Sequence, residues 1–264
     1  MTPNATTTES SQDDAGTSLL LIESVTVAFG GLVAVGNLDL EVASGDRLAV
    51  LGPNGAGKTT LFNAIAGDIT PTEGRVVIRG VDCTRLPSRL RPQLGVARTY
   101  QKTRLFGGLT VEDNLYLAQT GKMGRHLSLF RTRVDTRLRE QAREAAAAVW
   151  LADEVDTTVE DLSHGQQRQL EIGLALVTEP DLVMLDEPAS GLSRGERERL
   201  IDLLEALPSD VTLILIEHDM DVALRVADRV VVMADGEMVA SGTPDEIRSD
   251  PLVHAIYLGT EGTS

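Results

Sequence analysis

The sequence predicts an α/β fold: a parallel sheet covered on both faces, with an antiparallel β layer laid before it and a helical insertion inside it. Two observations carry that prediction. From Leu162 to Met233 short aliphatic runs alternate with helical stretches, as strands buried on both faces require. An earlier run of the same kind, Leu48-Ala49-Val50-Leu51, feeds directly into Gly52-Pro53-Asn54-Gly55-Ala56-Gly57-Lys58-Thr59-Thr60, a strand entering a glycine-rich turn that opens a helix.

Composition sets limits. Hydrophobic residues make up 42% of the 264 but aromatics only 3%, so aliphatic side chains must build the core. A formal charge of −16 argues against nucleic acid as a partner, because phosphate neutralisation needs clustered Lys and Arg. It also opposes adsorption to anionic lipid, so work at a membrane needs a protein that holds the chain there. The lysines are Lys58, Lys102 and Lys122, which sets the lysine of the glycine-rich turn apart. One cysteine, Cys83, excludes an internal disulfide and a cysteine zinc site. No apolar run is long enough to span a membrane and the first residues lack a secretory pattern, so a soluble, intracellular protein is expected.

In order along the chain, residues 1–18 are polar with almost nothing to bury and are expected to be a disordered tail. The folded domain is expected over 19–264. Leu19 to Phe29 reads as a strand stopped by Gly30-Gly31, and Val33 to Val42 as a second, together forming the antiparallel layer. Gly74 to Gly80 is a short strand, Pro87 to Leu94 a short helix, and Gly95 to Gln101 returns to the sheet. The helical insertion is expected at about 105–160: a helix from Thr110 to Ala118, a loop from Gly121 to His126, and an alanine-rich helix from Arg137 to Trp150. Helices His164–Val177, Arg194–Leu207 and Met220–Val226 then precede strands at Leu182–Glu187, Val211–Ile216 and Arg229–Met233. A helical extension is expected at about 243–260.

The chemistry begins at Gly52–Thr60. Glycines 52, 55 and 57 let the backbone turn N–H groups inward, and the helix that follows points its positive dipole end at the same spot. Pro53, Asn54 and Ala56 complete this phosphate-binding loop. Lys58 adds a positive charge near the β- and γ-phosphates of a nucleotide, and the Thr59 hydroxyl is placed to ligate Mg²⁺. A second motif, Leu182-Val183-Met184-Leu185-Asp186-Glu187, carries two carboxylates to the end of a buried strand, where open α/β sheets bind ligands. Asp186 is expected to hold Mg²⁺ through water and Glu187 to orient or deprotonate an attacking water. A third strand ends in Glu217-His218-Asp219, where His218 can donate to a γ-phosphate or simply belong to a helix-capping turn. Phe29 can stack on a flat base or be a strand-end core aromatic.

The ordered set of motifs resembles the ATP-binding cassette (ABC) ATPases over Leu19 to Leu258. The phosphate loop matches Gly52 to Thr60, the Q-loop Gln101, the signature Leu162-Ser163-His164-Gly165-Gln166, the acidic pair Asp186-Glu187, the D-loop Ala189 to Ser193 and the switch histidine His218. His164 stands where the family most often has Gly, and Ser193 where it most often has Asp. The resemblance implies a P-loop NTPase fold with a RecA-like core, ATP and Mg²⁺ as ligands, and Phe29 as the adenine-stacking aromatic. It implies catalysis by Glu187, His218, Gln101 and Lys58, with Thr59, Gln101 and Asp186 around the metal. It implies, too, that Ser163, Gly165 and Gln166 meet ATP held by a second cassette, identical or a paralogue. The helical insertion would grip two integral membrane permease subunits, placing the chain peripherally on the cytoplasmic face of the cell membrane, with an extracytoplasmic solute-binding protein as an indirect partner.

Within the family, Arg98 to Phe106, Gly165 to Arg168, Ile216 to Met220 and Ala255 to Gly259 look most like the ATPase subunits of branched-chain amino acid importers. Urea or amide importer ATPases, lipopolysaccharide-type exporters and soluble non-transport ABC ATPases stand as alternatives.

Overall fold

The computed structural model describes residues 18–99, 105–122 and 133–260. Strands β1 (Ser18–Phe29) and β2 (Leu32–Ala43) pair antiparallel. Strand β3 (Arg47–Leu51) runs into the glycine-rich loop and helix α1 (Lys58–Ala66). Strands β4 (Glu73–Ile78) and β5 (Val81–Asp82) complete a four-stranded sheet ordered β2-β1-β4-β5. A 3₁₀ turn over Ser88–Leu94 then leads to β6 (Val96–Arg98).

Helices α2 (Val111–Lys122) and α3 (Arg133–Ala148) follow, and then α4 (His164–Leu176). The chain continues through β7 (Leu182–Asp186), α5 (Arg194–Glu205), β8 (Thr212–Ile216), α6 (Met220–Val226), β9 (Arg229–Ala234) and β10 (Glu237–Gly242). It closes with α7 (Pro244–Ser249) and α8 (Pro251–Thr260).

The main sheet has the order β10-β9-β3-β8-β7-β6. All its pairs are parallel except β9 with β10. Alternate residues of each central strand enter different cores, which is why these strands read as continuous aliphatic runs. Leu48, Val50, Met184, Ile214 and Ile216 pack with α1 and the antiparallel sheet. Val183, Leu185, Leu213 and Leu215 pack instead under α4 and α5. Ala49, Leu51, Val230 and Val232 meet α6, α7 and α8.

Several expectations are corrected here. The main sheet is mixed rather than wholly parallel, because β10 turns back at Asp235-Gly236, both with positive φ, and pairs antiparallel at the edge. The expected loop from Gly121 starts too early: α2 runs on to Lys122, the exposed Gly121 being tolerated in its last turn, and residues 123–126 lie outside the described residues. Helix α3 starts at Arg133 rather than Arg137, with Asp135 complementing the dipole of its first turn. It ends before Trp150, whose φ of 59° cannot continue a helix. Ser18, placed in the tail, is the first residue of β1.

The helical segment is anchored where Thr110 bridges Thr158 and where the Val159 N–H donates to Leu109 O at 3.0 Å. Across it, Glu112 accepts from Arg139 at 2.8 Å and from Arg143 at 2.6 Å. Val111, Leu115, Ala142 and Ala146 face Leu170 and Ile172 of α4, so this segment is packed onto the helix that carries the signature residues.

Phe62 of α1 is fully buried between the two sheets. Phe62→Ala is expected to cost about 3–5 kcal/mol of folding stability, read as a shift in the urea unfolding midpoint.

Candidate nucleotide site

The site assembles at one edge of the main sheet, because β3, β7 and β8 all end there. Val50 and Asp186 both pair with Ile216, one from each side. The phosphate loop, the acidic pair and Glu217-His218 are therefore neighbours by strand register alone.

The loop's shape is enforced by close approach. Gly52 has φ +146° and a Cβ there would lie 2.1 Å from Met233 O; Gly57 has φ +97° and a Cβ would lie 2.3 Å from Ala34 O. Only glycine fits. Hydrogen bonds pin the loop's outer side: the Gly236 N–H donates to Ala56 O at 3.2 Å and the Gly36 N–H to Gly236 O at 2.9 Å. Gly57 caps α1 without a side-chain hydrogen bond, which leaves the first amides of the helix available to an anion. Lys58 folds back, its Nζ donating to Gly52 O at 2.6 Å and Pro53 O at 3.0 Å. Burial pushes its ammonium below the ordinary lysine range, while the carboxylates of Glu187, Asp186 and Glu217 oppose that shift.

Asp186 is buried, and its Oδ2 accepts from Arg98 Nη2 at 3.0 Å. Its Oδ1 is also buried and has no hydrogen-bond partner among the described residues. An orphaned carboxylate oxygen is costly unless a cation or a water meets it, so the donor set fits a hard divalent ion. Glu187 takes φ 47°, a left-handed conformation that costs about 1–2 kcal/mol for a residue with a Cβ. It is held there from two sides: its N–H donates to Ile216 O at 3.0 Å and its C=O accepts from Arg168 Nη2 at 2.7 Å. The bend sets the Glu187 carboxylate 4.0 Å from Nδ1 of His218.

Ser163, Gly165 and Gln166 are elsewhere. Ser163 caps α4 in a reciprocal pair with Gln166, and these residues line a recess of about 170 Å³ with Gln169, Glu196, Arg199 and Leu200, without any phosphate-loop residue. Ser193 caps α5 in the same reciprocal way with Glu196, so the hydroxyl does at this position what an aspartate also does. Glu196 is held below the usual carboxylate range by the Ser193 hydroxyl and then by the N–H groups of Ser193 and Gly165. The Gly165 N–H donates to it at 3.0 Å, which ties the signature to the D-loop. Phe29 sits half-exposed at the tip of the β1–β2 hairpin. Gln101 lies outside the described residues.

Four contributors went unread in the sequence. Arg168, quoted only as part of a motif, also donates from Nε to Pro188 O at 2.8 Å. Arg98 links Asp186 to Asn63 and Asp68 of the segment that follows the phosphate loop. Tyr257 of α8 accepts the Gly52 N–H at 3.0 Å, bringing the C-terminal helix to the start of the phosphate loop. Glu217 is fully buried. Its burial was legible in principle, since alternation along β8 puts it on the inward face of Leu213 and Leu215.

Fold and site together define a phosphate-loop nucleotide-binding protein with an α/β core and an appended antiparallel sheet. More narrowly, the chain belongs to the ABC transporter family, whose model matches residues 35–190. A model described as branched-chain amino acid ATP-binding cassette transporter matches 237–263.

Among curated relatives, the high-affinity branched-chain amino acid transport ATP-binding protein LivG of Escherichia coli is 39% identical over 249 residues, covering 91% of this chain and 98% of that one. BraF of Pseudomonas aeruginosa, of the same description, is 40% identical over 255 residues, with 91% and 98% covered. A solved ATP-binding cassette of an ABC transporter in its ADP conformation superposes with a TM-score of 0.81 at 29% identity, covering 92% of this chain and 99% of that one. A dimeric post-hydrolysis cassette bound to ADP and Pi gives a TM-score of 0.71 at 25% identity, with 85% and 98% covered. Among the described residues no helix is long and apolar enough to cross a membrane.

Gly57→Ala is expected to cost about 1–2 kcal/mol from backbone strain alone and to weaken binding of a fluorescent ATP analogue. Thermal melting and a binding titration check both effects.

Proposed function

We propose that this chain is the ATP-hydrolysing subunit of an importer for branched-chain or related amino acids, working at the cytoplasmic face of the membrane as one of a pair of cassettes. The observation that supports the catalytic part is the meeting at one sheet edge of Lys58, Asp186, whose Oδ1 has no partner among the described residues, Glu187 and His218. The amides opening α1 receive the phosphates of ATP, and Lys58 leaves its two carbonyl partners to neutralise them. Phe29 stacks on the adenine. Asp186, Thr59 and Gln101 would hold Mg²⁺, which would supply positive charge to offset that of the phosphates. Glu187, its carboxylate fixed by the bent backbone, orients the attacking water, and His218 donates to the γ-phosphate.

The separation of the recess at Ser163, Gly165 and Gln166 from the phosphate loop favours a two-cassette arrangement, in which these residues close over ATP held by the partner. The family's membership in transport systems, together with the absence of a spanning helix among the described residues, favours two separate membrane permeases, served by an extracytoplasmic solute-binding protein. The solute rests on the relatives: the 237–263 match and the 39–40% identity to branched-chain amino acid transport subunits favour that class of amino acid.

The test is capture of the tagged chain from gently solubilised native membranes. Two polytopic permeases co-purifying with a binding protein that takes branched-chain amino acids support the reading; ribosomes, or no membrane protein, overturn the transport role. Lys58→Ala is expected to abolish ATP binding, measured by equilibrium titration. Glu187→Gln is expected to keep binding but lose turnover and to accumulate a dimer at saturating Mg-ATP, seen by size-exclusion with light scattering.

A further inference from the structure

Glu217 directly follows strand β8 and has no exposed surface, and the scheme above gives it no task. Its Oε1 accepts the N–H of Ala189, first residue of the D-loop, at 2.9 Å. Its Oε2 is buried, has no hydrogen-bond partner among the described residues, and lies 3.9 Å from Nδ1 of His218. The His218 ring is about half exposed and so has room to turn, and closing that gap by about 1 Å makes a hydrogen bond. An unpaired oxygen in such a place is costly, and the His218 ring nitrogen is a group within reach that can relieve it.

We propose that Glu217 is a positioning residue for His218: Oε2 shares a proton with Nδ1, which keeps Nε2–H as the hydrogen-bond donor presented to the γ-phosphate. The last clause rests on the γ-phosphate reading of His218; the Glu217–Nδ1 link does not. Burial pushes the Glu217 carboxyl above the ordinary range, against the pull of the Ala189 N–H and of His218. The other charged groups facing this pair are Lys58 from α1, Glu187 at 4.0 Å from the same Nδ1, and Asp219, whose Oδ2 accepts from Arg197 at 2.6 Å.

With the proton on Oε2, the carboxyl O–H donates to Nδ1 and Nε2 keeps its hydrogen. When pH rises far enough to deprotonate the Glu217 carboxyl, the carboxylate becomes an acceptor only, and the ring changes tautomer to meet it, giving up its Nε2 hydrogen and carrying one on Nδ1. The ring then shows the phosphate a lone pair rather than a donor, since the bond made by one ring nitrogen sets the state of the other.

The experiment is long-range ¹H–¹⁵N spectroscopy of the histidine rings in the whole labelled chain across neutral to alkaline pH, with the His218 signals assigned by H218Q. The wild type is expected to pass from the Nε2–H to the Nδ1–H tautomer as pH rises. In Glu217→Gln the amide donates to Nδ1 and cannot titrate, so Nε2–H is expected at every pH; in Glu217→Ala the switch is lost. Steady-state ATP turnover of the assembled transporter should follow, its alkaline fall moving to higher pH in Glu217→Gln. If Glu217→Ala fails to fold, the near-isosteric Gln variant decides alone. Identical tautomer behaviour in wild type and Glu217→Gln overturns the proposal, and does so whether or not the importer reading stands, because the ring spectra require neither permease nor solute.

Discussion

The site depends on one packing constraint: β8 lies between β3 and β7 in a register that sets Val50, Ile216 and Asp186 at the same level. These strands are buried on both faces, so a one-residue slip would exchange the side chains of two different cores. Leu213 and Leu215 would leave the helices for the antiparallel sheet, and Ile214 and Ile216 would do the reverse. Hydrophobic packing thus fixes, well inside the protein, the relative height of a phosphate loop, an acidic pair and a histidine that share no stretch of sequence.

On that platform a small set of polar links sets finer geometry. Arg168 holds the successive carbonyls of Glu187 and Pro188, Glu217 holds the next amide, and Glu196 joins the cap of α5 to Gly165. The segment from Glu187 to Ser193 is therefore fastened to α4, β8 and α5 at once. Helix α4, which also packs against α2 and α3, is in this way bonded directly to the backbone of Glu187. At the other end of the chain, Tyr257 brings α8 to Gly52, so the C-terminal helices are structurally part of the loop that they follow by some 200 residues of sequence.

Much of this was legible in the sequence because it is local. Glycine spacing, a strand before it and a helix after it identify the phosphate loop, and four aliphatic residues ahead of Asp186-Glu187 are enough to place that pair at a strand's end. The aliphatic runs identified β3, β7, β8 and β9, but not β10, whose run Met238-Val239-Ala240 is half-exposed at an edge and lacks the burial signal. Helix ends were less legible. Gly121 reads as a breaker although α2 tolerates it in its last turn, and nothing local announces the positive φ of Trp150.

The sequence by itself determined the class of fold, the glycine-rich loop between a strand and a helix, and the acidic and histidine groups at two strand ends, because glycine conformation, strand burial and helix dipoles act over a few neighbouring residues. Only the tertiary structure decided which groups face one another. Arg98 meets Asp186 across 88 positions, Arg168 meets the carbonyl of Glu187 across a helix and a strand, and Glu217 has one oxygen beside His218 that is unpaired among the described residues. Those pairings follow from strand order and helix packing, which depend on contacts between distant segments that no local pattern encodes.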